Sequence, residues 1–595
     1  MRRTRQRLAS QGVHFFDAWF LDDGQLVCQA RDVDLLLRTL DEEAARVGAA
    51  RAFGADAKTV VRLVGSPEAR AAHPDGWMTD YVRSSSTSEP SRQEHVLGVD
   101  FGEDFSTNRQ FRTATQSVSA LHDALALLNG TASEMILLRK CADVCKIVHL
   151  LRAAAPSIDD DTLEAYDAML ERSLLRCLGG DLDELSLEQT SLGVAEGGLG
   201  LRRAASIAMP AYLASCIEAR WMISLLATSI GGFVPPGELC AAFEDKIGNA
   251  QNSLERKLSP AGVTRMRGII AEISPAYQTA DKVFQRTRLR REPCLTGDAL
   301  ILPAGHEDPE YQSENLQSCL CAIMDGERLS VLLQCLDEPD TQDRHRRLTD
   351  LSCSTVSHDW LWRSSPVHGP IVPKGDFQEV VRLRLGAPCV DEDCVCRRCG
   401  ARLDEAGSHA LCCALPEATR GHYAVRDAVL PLAHLADPAA VTEARGLIPS
   451  VPALRPTDIL TSAALPGRLA ALDIGITSPD ASDAGLDCCA AMHNRKRRDY
   501  GPFLDELEII AYRPMIWSTW GREHPETTAM LVSLARTAAR RVGLQDHRLL
   551  LRRTRAAVGV ELMRRAVRMM RACLPDEAAA ANLLLFAADA GRAPG

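Results

Sequence analysis

The segment RPTDILTSAALPGRLAALDIGITSP (455–479) decides the fold of the C-terminal half, because it predicts a β-hairpin with two opposed aspartates. Two apolar runs flank Leu465-Pro466-Gly467, where glycine is free to adopt positive φ. With the turn centred near Pro466, Asp458 and Asp473 fall almost opposite each other. Opposed carboxylates repel unless a divalent cation binds both, so the hairpin predicts a cation site. The alternative is that one aspartate begins a strand and the other faces solvent.

A second candidate site is the cysteine-rich segment CRRCGARLDEAGSHALCC (396–413). The spacing of Cys396 and Cys399 lets two thiolates face one ion, and His409 and Cys413 complete a tetrahedral shell. The sequence leaves two ligand assignments open, because Cys412 could replace Cys413 as a ligand and Cys394 could compete with Cys396. A zinc ion held by four protein ligands has a structural role, because no position stays open for water.

A third candidate is the segment DAWFLDDGQLV (17–27), which predicts a hairpin with Asp23-Gly24 as its turn. Asp22 and Asp23 then lie at the tip, where metal ions can reach their carboxylates. The alternative is an ordinary turn without a ligand.

Length and charge bound the class of protein. A chain of 595 residues is too long for one core, and its 79 acidic residues exceed its 68 basic residues. This excess argues against bulk attraction to nucleic acid. Between Arg536 and Arg571, however, there are eleven arginines and only two acidic residues, Asp546 and Glu561. This local positive charge suits contact with a phosphate backbone, and the alternative is a solvated helical face.

Hydrophobic patterning predicts helices and no membrane span. Helical spacing dominates from about 116 to 296, for example in SEMILLRKCADVCKIVHLLRAA (133–154). A strand is predicted at HVLGVDFG (95–102). No run of eighteen apolar residues and no signal-peptide core occurs, so we expect an intracellular protein whose twenty cysteines are reduced, buried or metal-bound.

The N-terminal segments WFLDDGQLV, GADAKTVVRLVG and HVLGVDFG resemble, in order, parts of a reverse transcriptase palm. EGGLGLRRAASIAMPAYLASC (196–216) resembles the helical segment that follows this palm in non-LTR retrotransposon polyproteins. The resemblance covers roughly residues 12–216 and implies that Asp22 and Asp23 are a metal-binding pair and Lys58 the palm lysine. A complete polymerase needs another palm aspartate and fingers, so we expect an N-terminally truncated palm that does not copy RNA alone.

The cysteine cluster followed by RGHYAVRD is similar to the CCHC zinc knuckle that precedes the endonuclease of such elements, and 455–479 resembles a PD-(D/E)xK nuclease. This resemblance implies that Asp458 and Asp473 bind Mg²⁺ and that Glu443, on a helix DPAAVTEARG, assists them. The resemblance also implies that the lysine comes from the following helix, where AMHNRKRRDYG offers Lys496, with Tyr500 close behind. The alternative is that Lys496 contacts the DNA backbone together with the neighbouring arginines Arg495, Arg497 and Arg498.

Two positions depart from the nuclease pattern. The usual lysine two residues past the second acid is absent, and Gly475 stands there. In WSTWG (517–521), Ser518 stands where relatives tend to carry an acid. If that acid contributes to activity, we expect a weakened enzyme.

The expected fold class is a multidomain, helix-rich α+β protein. Its parts are a palm remnant (1–104), a helical thumb or connector (105–296), a linker region (297–384), a zinc knuckle (385–425), a PD-(D/E)xK-like α/β nuclease domain (426–575) and a tail (576–595). The expected function is Mg²⁺-dependent nicking of a DNA target in the nucleus, with Arg548, Arg552 and Arg553 on the phosphates and element RNA as a further partner. The alternatives are an inert nucleic-acid-binding remnant and a polymerase fragment completed by upstream sequence.

Overall fold

The computed structural model describes most of the chain outside residues 47–92 and 274–315. The described ranges are 2–13, 15–20, 23–46, 93–96, 99–102, 107–128, 130–229, 236–273, 316–363, 365–389, 394–404, 406–413, 415–448, 456–505 and 508–575. The chain divides into two compact units, residues 1–106 with 219–246, and residues 107–218 with 247–595. Within the described ranges, no helix is both long and apolar enough to cross a bilayer.

The first unit holds short elements near the N-terminus. They are α1 (Arg2–Ala9), β1 (Phe15–Phe20), β2 (Asp23–Cys28), α2 (Val33–Ala45), β3 (Gln93–Val96) and β4 (Val99–Gly102). β1 and β2 pair antiparallel, and Phe20 is opposite Asp23. The prediction of an Asp23-Gly24 turn was therefore wrong, because both residues lie in the returning strand. The single strand predicted at 95–102 was wrong too, since β3 and β4 form a hairpin there.

Helices dominate the described residues between 107 and 273, as the periodicity predicted for 116–296, and three further helices lie within the predicted linker region. They are α3 (Thr107–Ala126), α4 (Thr131–Cys141), α5 (Val148–Ala154), α6 (Asp160–Cys177), α7 (Glu184–Ser191), α8 (Ala204–Ser229), α9 (Pro236–Glu255), α10 (Pro260–Ile273), α11 (Leu316–Cys335), α12 (Gln342–Leu351) and α13 (Lys374–Leu385). The apolar segment 133–154 is broken near Asp143, whose carboxylate accepts a hydrogen bond from the Cys145 N–H. A side chain that caps a new turn competes with the continuing helix.

The C-terminal part alternates strands and helices. Its elements are β5 (Cys394–Val395), β6 (Arg402–Leu403), α14 (Ala410–Cys413), α15 (Leu415–Ala436), β7 (Val441–Thr442), β8 (Ile459–Leu465), β9 (Arg468–Thr477), α16 (Cys488–Asp505), β10 (Ile510–Ser518), α17 (Pro525–Val542) and α18 (Arg548–Cys573). Overall, the chain is a helix-rich α+β protein with small sheets.

The largest sheet has the strand order β10-β9-β8-β7. β8 and β9 are antiparallel, whereas β9 and β10 are parallel and are joined through α16. The predicted hairpin is confirmed, because β8 and β9 flank Pro466 and Gly467, and Gly467 has φ of 70°. Ile459 pairs with Leu472, and the Asp458 N–H donates to the Leu472 carbonyl over 2.9 Å.

The central strand β9 is buried on both faces, which explains its almost continuous apolar run. Ala470, Leu472 and Ile474 pack into the main core of the second unit. Ala471, on the opposite face, packs with Tyr512 and with residues at the end of α16. Because side chains alternate along a strand, Asp473 lies on the same face as Ala471, the face that α16 covers.

Candidate functional site

The Cys396, Cys399, His409 and Cys413 cluster can hold a zinc ion. Their ligand atoms all lie within 4.8 Å of one another. The Cys396 and Cys413 sulfurs are 3.8 Å apart, and the Cys399 sulfur is 3.2 Å from His409 Nε2. Two thiolates on one tetrahedral zinc ion are roughly 3.8 Å apart, since each Zn–S bond is about 2.3 Å. The donor set and its spacing therefore fit zinc.

Short local elements position these four ligands. β5 and β6 pair around the Cys396–Cys399 turn, which Gly400 closes with φ of 76°. The Asp404 carboxylate accepts hydrogen bonds from the Ser408 and His409 N–H groups at 3.0 Å each, and so fixes the loop that presents His409.

The structure resolves the two alternatives that the sequence left open. Cys396 and Cys413 belong to the cluster, whereas Cys394 and Cys412 do not. Burial acts to raise the pKa of the Cys396 thiol, but hydrogen bonds from the Arg398 and Cys399 N–H groups outweigh burial and lower the pKa to about 6. A depressed pKa favours the thiolate, which is the form that binds metal.

The Asp458 and Asp473 carboxylates lie at one end of the β8–β9 pair, and both are largely buried. Asp458 directly precedes β8 and Asp473 is within β9. The charges of these residues act on one another. The negative charge of Asp458 adds to burial in raising the pKa of Asp473, and the positive charge of Lys496 acts to lower the pKa of Asp458. The two acids and Lys496 therefore form one electrostatic group.

Asp473 is held through both of its oxygens. Lys496 Nζ donates to Asp473 Oδ1 over 2.7 Å and to the Ile474 carbonyl over 2.9 Å. The Tyr512 hydroxyl donates to Asp473 Oδ2. Burial raises the pKa of Asp473 in spite of the Lys496 charge, so the site disfavours the bare carboxylate.

Asp458 is oriented by two donors from different elements. Its Oδ2 accepts a hydrogen bond from the Ile474 N–H over 2.6 Å, and its Oδ1 lies 2.9 Å from His422 Nε2 on α15. Burial acts to raise the pKa of Asp458, but the hydrogen bond with His422 and the neighbouring charges outweigh burial and lower the pKa.

Gly475 provides space for the Lys496 side chain. A Cβ atom at Gly475 would lie 2.6 Å from Ile516 Cδ1 and 3.1 Å from Lys496 Cε. A side chain at this position would therefore compete for space with Lys496, which reaches Asp473 from α16 across the glycine.

The prediction that Glu443 lies on a helix was wrong. Glu443 directly follows β7 and has φ of 52°. Its N–H donates to the Asp458 carbonyl over 3.1 Å, so its backbone adjoins the site. One of its carboxylate oxygens accepts a hydrogen bond from Arg426 over 2.8 Å. The β7–β8 pairing overrides the helical propensity of this alanine-containing segment.

Ser518 has a carboxylate partner from another element. Its hydroxyl donates to Asp350 Oδ2 on α12, and Arg522 Nε donates to Asp350 Oδ1 over 2.5 Å. The side chain of Ser518 is buried. An acid at position 518 would face Asp350, so in this chain the buried carboxylate next to Arg522 comes from α12 instead.

The arginines around Lys496 make protein contacts. Arg495 pairs with Asp483, and Arg497 donates to the Tyr512 carbonyl over 2.8 Å. Arg498 pairs with Asp499 at 3.2 Å, but three quarters of its side chain is exposed. Of these three predicted DNA contacts, Arg498 is the most accessible.

Most arginines of α18 are paired with acidic residues inside the second unit. The pairs are Arg552–Asp359 at 3.9 Å, Arg555–Glu523 at 2.7 Å, Arg564–Glu561 at 2.8 Å, Arg568–Glu417 at 3.7 Å and Arg571–Glu379 at 2.9 Å. Arg548 lies 3.8 Å from Asp546, and Arg553 is exposed. Much of the positive charge seen in the sequence is therefore neutralised locally.

The proposed polymerase residues are only partly described. Asp22 and Lys58 lie outside the described residues, and Asp23 is at the start of β2. The assignment of these three residues to a palm therefore stays a prediction.

Two residues of the Asp458 and Asp473 site were missed by sequence reasoning. His422 lies 36 positions before its partner and Tyr512 lies 39 positions after its own. No spacing rule connects such distant positions, although His422 is in the segment RGHYAVRD. A comparison of the chain with protein-family models and with curated protein sequences finds no match.

Proposed function

We propose that this chain is a metal-dependent DNA endonuclease of the PD-(D/E)xK type, derived from a non-LTR retroelement. The observation that carries the proposal is the position of Lys496, whose ammonium group bonds to Asp473 and to the Ile474 carbonyl. Two carboxylates and a lysine on one sheet face are the groups that this reaction needs.

The donor set suits a hard divalent cation. Asp458 and Asp473 offer carboxylate oxygens, and Ile474 offers a carbonyl oxygen beside them. Mg²⁺ prefers oxygen ligands and keeps several waters. Two carboxylates against one ammonium group leave an excess of negative charge, which a cation would compensate.

Hydrolysis follows from the roles of these groups. A bound cation polarises the phosphoryl oxygen and lowers the pKa of water. Lys496 stabilises the negative charge that develops on the phosphorane. Water oxygen bonds to phosphorus while the bond from phosphorus to the 3′ oxygen breaks. The proton that water loses passes to solvent and the leaving oxygen gains one, which leaves 5′-phosphate and 3′-hydroxyl ends.

Other parts of the chain hold the DNA and the nuclease module. Exposed arginines such as Arg498 and Arg553 contact phosphates without reading sequence, and the zinc-binding cluster positions the module. The DNA target places the protein in the nucleus, with element RNA as a further partner.

A second candidate function is nucleic-acid binding without cleavage. It is favoured by one observation, namely that protein donors already occupy both oxygens of Asp473. If these contacts persist in the presence of cation, the site is inert and the chain is a binding remnant.

Nicking of supercoiled plasmid in the presence of Mg²⁺ tests the proposal. We expect relaxed circles with the unaltered chain, and at least a hundredfold slower nicking with Asp473→Ala. Glu164→Ala removes an exposed carboxylate of α6 and should nick at the unaltered rate. Retention of plasmid binding without nicking by the unaltered chain would support the second candidate and overturn the first.

A further inference from the structure

Arg565 of α18 is a buried cation that pairs with no acidic side chain among the described residues. The residue is only 5% exposed. Its Nη1 atom donates a hydrogen bond to the Thr519 hydroxyl over 3.5 Å, and its buried Nε atom has no hydrogen-bond partner within the described part of the chain. Burial lowers the pKa of Arg565 to about 10, and the charge of Arg568 acts in the same direction. A buried charge without a counter-charge is costly, so an anion at this position would stabilise the protein.

The Arg565 side chain lies against Gly421 of α15. A Cβ atom at Gly421 would be 2.4 Å from Arg565 Cδ. Four residues before Gly421, Glu417 Oε2 is 3.7 Å from Arg568 Nε, so α15 and α18 run antiparallel along this contact. Residues three apart on a helix share a face. Arg565 and Arg568 therefore lie on the face of α18 that meets α15.

Three arginines at this contact share the single carboxylate of Glu417. Arg420 of α15 lies 3.1 Å from Glu417 Oε1, and Arg568 reaches only the longer 3.7 Å ion pair with Oε2. The Nε and Nη2 atoms of Arg568 have no hydrogen-bond partner in the described ranges. Arg420, Arg565 and Arg568 form what we call the arginine cluster. With three positive charges and one negative charge, the cluster and Glu417 together carry an excess of positive charge.

We propose that the arginine cluster binds a phosphate group, with Arg420 and Arg568 at the rim and Arg565 at the base. Guanidinium N–H groups match phosphate oxygens and form charge-assisted hydrogen bonds with them. The Arg420 side chain is 69% exposed and that of Arg568 is 31% exposed, so a phosphate can approach from solvent. The inference goes beyond the proposed function, because phosphate binding requires neither a divalent cation nor cleavage.

The phosphate is either free inorganic phosphate or part of a DNA strand. Gly421 directly precedes His422, whose imidazole contacts Asp458, so the arginine cluster adjoins the candidate nuclease site. A DNA backbone and inorganic phosphate offer the same oxygen acceptors, and binding experiments with each of them distinguish the two sources.

Thermal unfolding of the full, zinc-loaded chain with inorganic phosphate tests the site without any added divalent cation. We expect phosphate to raise the unfolding midpoint more than chloride at equal ionic strength, because a ligand of the folded state stabilises it. Arg565→Met removes a buried, unpaired charge. In phosphate-free buffer this variant should unfold at a higher temperature than the unaltered chain, and phosphate should barely raise its midpoint.

Arg568→Met and Arg564→Met are a matched pair, because both side chains are 31% exposed on α18. Arg568→Met should weaken phosphate binding, measured by calorimetric titration, by roughly tenfold or more. Arg564 pairs with Glu561 at 2.8 Å, and Arg564→Met should keep the affinity of the unaltered chain. Equal losses in the two variants would overturn the proposal, as would a phosphate effect no larger than that of chloride. This comparison holds even if Arg565→Met does not fold.

Binding of a fluorescent DNA duplex, again without added divalent cation, identifies the source of the phosphate. For a DNA phosphate, Arg568→Met should weaken duplex binding more than Arg564→Met does and reduce the salt slope by about 1. For free phosphate, the two variants should bind the duplex equally while only Arg568→Met loses inorganic phosphate. Absence of plasmid nicking would overturn the nuclease proposal and leave the phosphate site intact.

Discussion

Because Gly475 has no side chain, it leaves the space in which the charged side chain of Lys496 lies. Lys496 approaches Asp473 across the surface of β9, and its Cε atom would lie 3.1 Å from a Cβ at Gly475. The lysine that contacts Asp473 therefore comes from the neighbouring helix α16 and not from β9 itself. The ammonium group reaches Asp473 by this second route.

Gly475→Ala should impair both packing and cleavage. The added methyl group would lie 2.6 Å from Ile516 Cδ1, and overpacking of this kind costs about 1–3 kcal/mol. We expect a lower free energy of unfolding in urea, together with at least tenfold slower plasmid nicking, because Lys496 is displaced.

A double variant separates the two effects. Ile516→Val removes the Cδ1 methyl that clashes with the new Cβ, so Gly475→Ala with Ile516→Val should regain most of the stability. Its nicking should remain slow, since the contact with Lys496 is unchanged. Full recovery of nicking in the double variant would contradict a role for the Gly475 space in positioning Lys496.

At the scale of elements, the end of α18 docks on the zinc-binding cluster. The Arg397 N–H donates to the Cys573 carbonyl over 3.0 Å, and the Arg397 and Arg398 guanidinium groups donate to the Ala572 carbonyl. The last carbonyls of a helix lack partners within the helix. The Cys396–Cys399 turn supplies them, so the geometry of the cluster stabilises the end of α18.

Loss of a bound metal should therefore destabilise more than the cluster itself. We expect one zinc ion per chain by atomic absorption, and a chelator or Cys399→Ser should lower the free energy of unfolding by more than about 2 kcal/mol. Amides at the end of α18 should exchange hydrogen faster.

Two cysteines outside the cluster provide matched controls. Cys394→Ser and Cys412→Ser change neighbouring thiols that are not ligands, and both should retain one zinc ion and the unaltered stability. Loss of zinc in Cys412→Ser with zinc retained in Cys413→Ser would instead assign the fourth ligand to Cys412.

At the scale of the whole molecule, one hydrophobic core joins elements from α3 to α18. Glu379 of α13 lies within this core with no exposed surface, 2.9 Å from Arg571 of α18. Burial raises the pKa of Glu379 to about 7, although the Arg571 charge opposes the change. This pair links helices that are almost two hundred residues apart.

The pH dependence of stability should report on Glu379. Because its folded pKa is raised from 4.5, its contribution to stability is complete below pH 4.5 and is lost as the pH rises through 7. The expected loss is about 3 kcal/mol, since one pKa unit corresponds to about 1.4 kcal/mol. Urea unfolding between pH 4.5 and 8 measures this loss.

Glu379→Gln removes the titrating group, so its stability should depend less on pH over this interval. Asp376→Asn is the matched control, because Asp376 also pairs with Arg571 at 2.9 Å but its substitution leaves Glu379 in place. The control should keep most of the pH dependence of the unaltered chain, because the charge of Asp376 raises the pKa of Glu379 less than burial does. Equal slopes for Glu379→Gln and the unaltered chain would refute the assignment.

Sequence patterns predicted the structure correctly where the residues that determine it are close together in the chain. The turn at Pro466 and Gly467 predicted the pairing of β8 with β9, and the spacing of cysteines and a histidine within eighteen residues predicted the cluster that can hold zinc. The helix predicted around Glu443 failed, because pairing of β7 with β8 is a longer-range contact that overrides local propensity.

The sequence by itself determined a helix-rich α+β fold, the β8–β9 hairpin and a cluster of cysteine and histidine ligands within 394–413, since periodicity, turn chemistry and short spacings encode these features. The tertiary structure selected Cys396 and Cys413 over Cys394 and Cys412. Only the tertiary structure decided that Lys496 crosses Gly475, that His422 and Tyr512 bind the two aspartates, and that the arginines of α18 are mostly paired within the protein. The physical reason is that packing brings together side chains whose separation along the chain carries no information about their distance in space.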